Sequence, residues 1–157
     1  MKRASVQLLR AKTTHPGKYV ILIRGGVDEV SESVKAGVTA SGDALIDHLV
    51  LPNPHDQLLD VLDGPREPVI EAVGVLETYS VASTIRGADA ALKVAEVHAR
   101  TIRLADDLGG KGCFVFCGVL HDVQEAMSAA LTAVGDGLVA GHDIIANPHP
   151  AVADALG

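Results

Sequence analysis

The sequence predicts an α/β (α+β) protein made of one unit used twice, with the first copy incomplete. Short runs rich in Val, Ile and Leu alternate with segments whose apolar residues recur at three and four, the spacing of one helix face. Sliding the chain by 93 positions lays Gly17, Lys18, Gly25, Val30, Glu32, Ala36, Thr39, Ala40, Gly42, Asp43 and Leu45 on identical residues between Gly110 and Leu138. With one more residue inserted, Asn53, Pro54 and His55 fall on Asn147, Pro148 and His149. A match of that density marks an internal repeat.

In chain order, Val6 to Ala11 reads as a strand, Thr13 to Gly17 as a loop, and Tyr19 to Arg24 as a strong strand. A helix follows from about Asp28 to Ser41, with Gly42 placed as its stop. Leu45 to Leu51 reads as a further strand, and Pro54 opens a short helix through Leu62. Residues 64–68, Gly-Pro-Arg-Glu-Pro, form a linker. The second copy starts with a strand from Val69 to Leu76, closed by the strand-end and cap residues Glu77, Thr78, Tyr79 and Ser80. Val81, Ala82, Ile85, Ala88, Leu92 and Ala95 then form one face of a helix running to about Glu96. That face is mostly alanine, which lets the helix lie close to a sheet. The complete unit is strand, helix, strand, strand, helix, strand, short helix. The predicted domains are residues 1–63 (incomplete), and 69–157 (complete).

Composition narrows the function. Counting glycine, the apolar share is about 58%, above the usual ~45–50%, and the surplus suggests surfaces buried between subunits. No run of eighteen apolar residues and no signal-like apolar core after Met1, Lys2 and Arg3 is present, so a cytoplasmic protein without a membrane partner is expected. A net charge of −7 and only two Tyr and two Phe argue against nucleic acid. Cys113 and Cys117 are four apart in one strand, roughly 13 Å at ~3.3 Å per residue, too far for a disulfide. Buried structural thiols are expected instead.

Catalysis needs groups that converge in space, and their sequence signatures are missing. There is no G-x-S-x-G, H-E-x-x-H or C-x-x-C. The stretch Leu108 to Gly112 departs from a phosphate loop, since Ala105 stands at the earlier glycine and no Ser or Thr follows Lys111. Asp122 and Glu125 read as a helix cap with its third-position acid. No enzyme activity, cofactor or metal site is predicted.

The stretch GVLETYSVASTIRGADAALKVA, from Gly74 to Ala95, resembles the first strand and helix of the bacterial microcompartment (BMC) shell domain. That family opens with a G-x-x-E-T strand and a small-residue helix ending in an edge lysine, places filled here by Gly74, Glu77, Thr78 and Lys93. The resemblance implies two tandem domains, each an antiparallel sheet flanked by helices. It further implies a structural shell protein, three chains forming a six-sided tile with a central pore, whose partners are its own copies, other shell proteins and passing metabolites in a bacterial microcompartment shell. The other reading the residues allow is a small-molecule-binding regulatory trimer of similar domains.

By the same resemblance, two loops surround the pore: Thr13, Thr14, His15, Pro16 and Gly17, and Asp106, Asp107, Leu108, Gly109 and Gly110. Two groups lie at tile edges: Lys93 with Asn147, Pro148 and His149, and Lys2 with Asn53, Pro54 and His55. The family's Pro-Arg-Pro-His has Asn for Arg in both copies, which removes a charged fork of donors. Read without the family, the loops are exposed hairpin turns and each Asn-Pro caps a short helix. Met1 and Lys2 match Leu92 and Lys93, so the first strand and most of the first helix have no counterpart upstream. A truncation or a misassigned start is the expectation.

Overall fold

The computed structural model describes residues 5–63, 71–105, 108–149 and 151. Lys2, Asp106, Asp107 and the linker at 64–68 lie outside the described residues. The first repeat contains strand β1 (Gln7–Thr14), strand β2 (Lys18–Arg24), helix α1 (Val27–Ser41), a 3-10 turn over Gly42–Ala44, and helix α2 (Asp56–Asp63). The second contains β3 (Ala72–Thr78), α3 (Val81–Val94), β4 (His98–Leu104), β5 (Gly112–Gly118), α4 (Leu120–Val134) and β6 (Val139–Ala146). All the strand pairs are antiparallel: β1 with β2 in one ladder, and the order β4-β5-β3-β6 in the other sheet.

The core sits where α3 and α4 cover one face of the larger sheet. Side chains alternate along a strand, so Phe114 and Phe116 of β5 join Leu76 of β3 beneath Ala88, Ala91, Val123, Ala126, Met127 and Ala130. Val73, Val115 and Cys117 point the other way into a second cluster, with Val75 and Cys113 against it. The two phenylalanine rings stack with centroids 5.2 Å apart. Gly74 pairs with Phe116 across the ladder, and a Cβ on Gly74 would run into the Phe116 ring. Ser80 caps α3 by accepting from the Ser83 amide at 3.0 Å, as the cap cluster in the sequence predicts.

The repeat is geometric as well as textual. Moving α1 along by 93 gives the bounds of α4, and the register shift in β1 between Leu8 and Arg10 recurs in β4 between Ala99 and Thr101, 91 positions on. The difference of two residues is taken up in the β4–β5 turn. Yet the two repeats are packed differently. α4 buries Val123, Ala126, Met127, Ala130 and Val134, whereas α1 buries no residue, because no described helix of the first repeat lies where α3 lies in the second.

Two expectations need correction. Leu45 to Leu51 is not a strand. Its repeat mate β6 is held by the ladder to β3, and the described first repeat has no strand equivalent to β3 to supply those hydrogen bonds. Asp122 is not a helix cap: Val119 holds that position without a side-chain bond, and Asp122 falls inside the first turn, where a carboxylate still suits the helix dipole. Smaller shifts concern ends. β1 extends to Thr14, so the turn narrows to His15–Gly17; α2 starts at Asp56, two residues after Pro54; and α3 stops at Val94, with Ala95 extended.

Candidate functional site

The two loops expected at a pore are neighbours. The β1–β2 turn holds His15, Pro16 and Gly17 and closes with the Gly17 amide on the Thr14 carbonyl at 2.9 Å. The β4–β5 turn holds Leu108, Gly109 and Gly110, and the Lys111 amide closes it on the Leu108 carbonyl at 3.2 Å. Lys18 joins them, its ammonium donating to the Gly110 carbonyl at 3.0 Å and to that of Tyr79 at 3.1 Å. Gly17 and Gly110 both have positive φ, 115° and 77°, which a side chain would strain. Thr13 and His15 are exposed, and Thr14 is buried.

The edge residues form a second group. Lys93 donates to the Asn53 carbonyl at 2.6 Å and to Asp89 Oδ2 at 2.7 Å, while Asp89 Oδ1 accepts from the His55 amide at 2.9 Å. Lys93 thus meets the Asn-Pro-His of the other repeat within one chain. For the first copy the helix-capping reading is right about place but wrong about the residue. His55 Nδ1 accepts from the Gln57 amide at 3.3 Å, so histidine caps α2, and His149 Nδ1 accepts from the Ala151 amide at 3.2 Å in the same way. Asn147 instead adopts a left-handed turn at φ 47°, its amide donating to the Glu71 carbonyl at 2.7 Å.

Sequence reasoning missed Asp89 and Gln57. Asp89 stands four residues before Lys93, a helix-face pairing that the spacing does display. Gln57 gave no such signal. Its amide receives the Ala99 N–H at 2.7 Å and donates to the Val97 carbonyl at 3.3 Å, closing part of the free edge of β4 as another strand would.

The G-x-x-E-T residues have separate physical tasks. Gly74 admits the Phe116 ring, Glu77 pairs with Lys111 at 2.7 Å, and the buried Thr78 hydroxyl bonds the Ser80 carbonyl at 2.8 Å and the Thr84 hydroxyl at 2.6 Å. These bonds fix the turn from β3 into α3.

Among the described residues, one group has donor atoms close enough to share a cation, His121, Asp122 and Glu125, within 4.8 Å of one another at the start of α4; His121 and Glu125 are exposed. Cys113 and Cys117 form no disulfide and are half-buried and buried. Burial, then the Glu77 carboxylate, push the Cys113 thiol up, and Arg103 and Lys111 only oppose this. The thiolate is the reactive form. Alkylation of Cys113 by iodoacetamide is therefore expected to be slow at pH 8 and to keep rising beyond the pH at which a free thiol levels off; a plateau near that of free cysteine would contradict it. None of the described helices is long and apolar enough to cross a membrane.

Comparison with known proteins agrees with this architecture. The BMC domain family matches residues 1–54 and 72–148. A bacterial microcompartment shell protein, PduT of Citrobacter freundii, is 37% identical over 151 residues, spanning 95% of this chain and 82% of its own. The major carboxysome shell protein CsoS1 of Prochlorococcus marinus subsp. pastoris is 43% identical over 89 residues, 55% of this chain and 84% of its own. Among solved structures, a microcompartments protein from Desulfitobacterium hafniense superposes with a TM-score of 0.85 at 36% identity, over 96% of this chain and 85% of that one. A fused permuted hexameric shell protein, at TM-score 0.64 and 21% identity over 85% of this chain and 72% of that one, shares the fold. With two BMC segments in one polypeptide, the chain belongs to the BMC domain family, as a microcompartment shell protein of the tandem type.

Proposed function

We propose that three copies of this chain form a six-sided shell tile whose central pore is lined alternately by the two loops, one from each repeat, and that the tile is structural and not catalytic. The observation that carries this is the Lys18 bridge to Gly110, which sets the two loops side by side. An arrangement of repeats that meet head to tail closes into a ring when the same contact continues between chains. The relatives' names supply the setting: shell proteins of microcompartments and carboxysomes. The domain limits 1–63 and 69–157 are part of this proposal, as are the edge roles of Lys2 and Lys93 and of the two Asn-Pro-His segments.

Negative-stain microscopy of the purified protein tests the tile: sheets, tubes or polyhedra are expected, and discrete particles that never associate sideways would refute it. Permeability of assembled shells tests the pore. With His15 and the carboxylates of Asp106 and Asp107 around the opening, polar neutral and cationic solutes are expected to pass more readily than anions. Asp106→Asn with Asp107→Asn should narrow that preference severalfold, and His15→Ala should alter it. Unchanged passage of charged solutes in both variants would remove these loops from the pore.

A further inference from the structure

Lys18 and Lys111 are repeat mates, as are Gly17 and Gly110, each pair separated by 93 positions. Within the chain only one of the two possible lysine-to-loop contacts is made. The Lys18 side chain lies across Gly110 so closely that a Cβ there would meet Lys18 Cε at 2.9 Å and Nζ at 3.1 Å, and the ammonium bonds the Gly110 carbonyl at 3.0 Å. Gly17 has the same kind of backbone, φ 115°, but a Cβ there would meet nothing within 4 Å. Its mate's covering is absent. Lys111, the residue that would provide it, is held by Glu77 at 2.7 Å and stays partly open to water, its side chain 35% exposed. An ammonium has three donors, so the Glu77 pair leaves Lys111 able to bond a carbonyl as Lys18 does.

We propose that Lys111 of one copy covers Gly17 of a second copy and donates to its carbonyl, repeating between chains the contact that Lys18 makes with Gly110 within one. The lysines then alternate around the ring, one internal and one between chains, each seated on the positive-φ glycine of the next loop. Glu77 occupies one donor of the Lys111 ammonium and leaves the others for that contact. The inference rests on the ring reading above and names the residue that closes it.

The test is native mass spectrometry across a dilution series, with parent, Lys111→Ala, Glu77→Gln and Lys18→Ala chains. The parent is expected to dissociate with one midpoint, and Lys111→Ala to raise that midpoint by about tenfold or more, the equivalent of losing a charged hydrogen bond at each junction. Glu77→Gln should leave the assembly standing. Lys18→Ala should lower the melting temperature independently of protein concentration. A second measurement needs no substitution: amine crosslinking of an assembly made from mixed isotopically light and heavy chains should yield Lys18–Lys111 crosslinks that join light to heavy. Crosslinks confined to chains of one label overturn the proposal. So does a Lys111→Ala midpoint equal to the parent's, or a Glu77→Gln chain that falls apart as readily as Lys111→Ala. A parent that stays monomeric at every concentration instead removes the ring itself.

Discussion

Phe116→Ala is expected to destabilise the protein by about 3–5 kcal/mol, the usual range for deleting a buried aromatic ring. Phe116 is fully buried, stacks on Phe114 and fills the space that Gly74 leaves across the ladder. Collapse repairs little of the loss, since β3 and β5 are held together beneath the void by seven paired positions. At roughly 2–4 °C per kcal/mol for a chain of this size, the melting temperature should fall by about 6–20 °C. The converse change has a different sign of volume. Gly74→Leu forces a side chain into the ring and should cost about 1–3 kcal/mol by overpacking. Because the two residues share one space, Gly74→Leu with Phe116→Ala should cost less than the sum of the single changes, a coupling that contacting residues show and distant ones do not. Equilibrium denaturation of the three variants decides it, and strict additivity would mean that the ring and the glycine do not share that space.

The second repeat was legible in the sequence because its signals are local. The run from Ala72 to Leu76, the Ser80 cap and the three-and-four spacing of α3 all lie within a few residues of one another, and each agrees with the same element. The first repeat was less so, and the misreading at Leu45 to Leu51 shows why. Those residues have the composition of a strand, but a strand is a pairing, and nothing in a local window reveals that no described strand of the first repeat pairs with them. The loops were found by position and their closeness was not, because the Lys18 bond to Gly110 spans 92 residues. Gln57 was invisible for the same reason: a single amide that finishes the edge of β4 carries no periodic trace. The histidines of the two Asn-Pro-His segments were noticed through their repetition, while the capping of α2 by His55 follows from side-chain direction, which repetition does not encode.

Asp89→Ala is expected to loosen the junction between the repeats at a cost of about 1–3 kcal/mol, the penalty for leaving partners of a buried acceptor without their bond. Asp89 is 7% exposed and serves both sides at once, taking the His55 amide on one oxygen and the Lys93 ammonium on the other. Lys93 is different: its side chain is 42% exposed, so water replaces the ion pair, and Lys93→Ala should change stability by no more than about 1 kcal/mol. The Asn53 carbonyl can likewise turn to solvent. Asp89→Asn separates the two services, because its carbonyl can still accept from His55 while the charge that holds Lys93 is gone; its cost should fall between the others. Denaturant unfolding gives this order, and limited proteolysis should show cleavage near His55 rising first in Asp89→Ala. The same three variants address the edge. If Lys93 also meets a neighbouring tile, Lys93→Ala reduces sheets seen by microscopy while the proposed trimer and its stability persist. A trimer that dissociates in Lys93→Ala would instead put the lysine between subunits, and a stability loss equal to that of Asp89→Ala would make the ammonium, and not the carboxylate, the group that holds the repeats together.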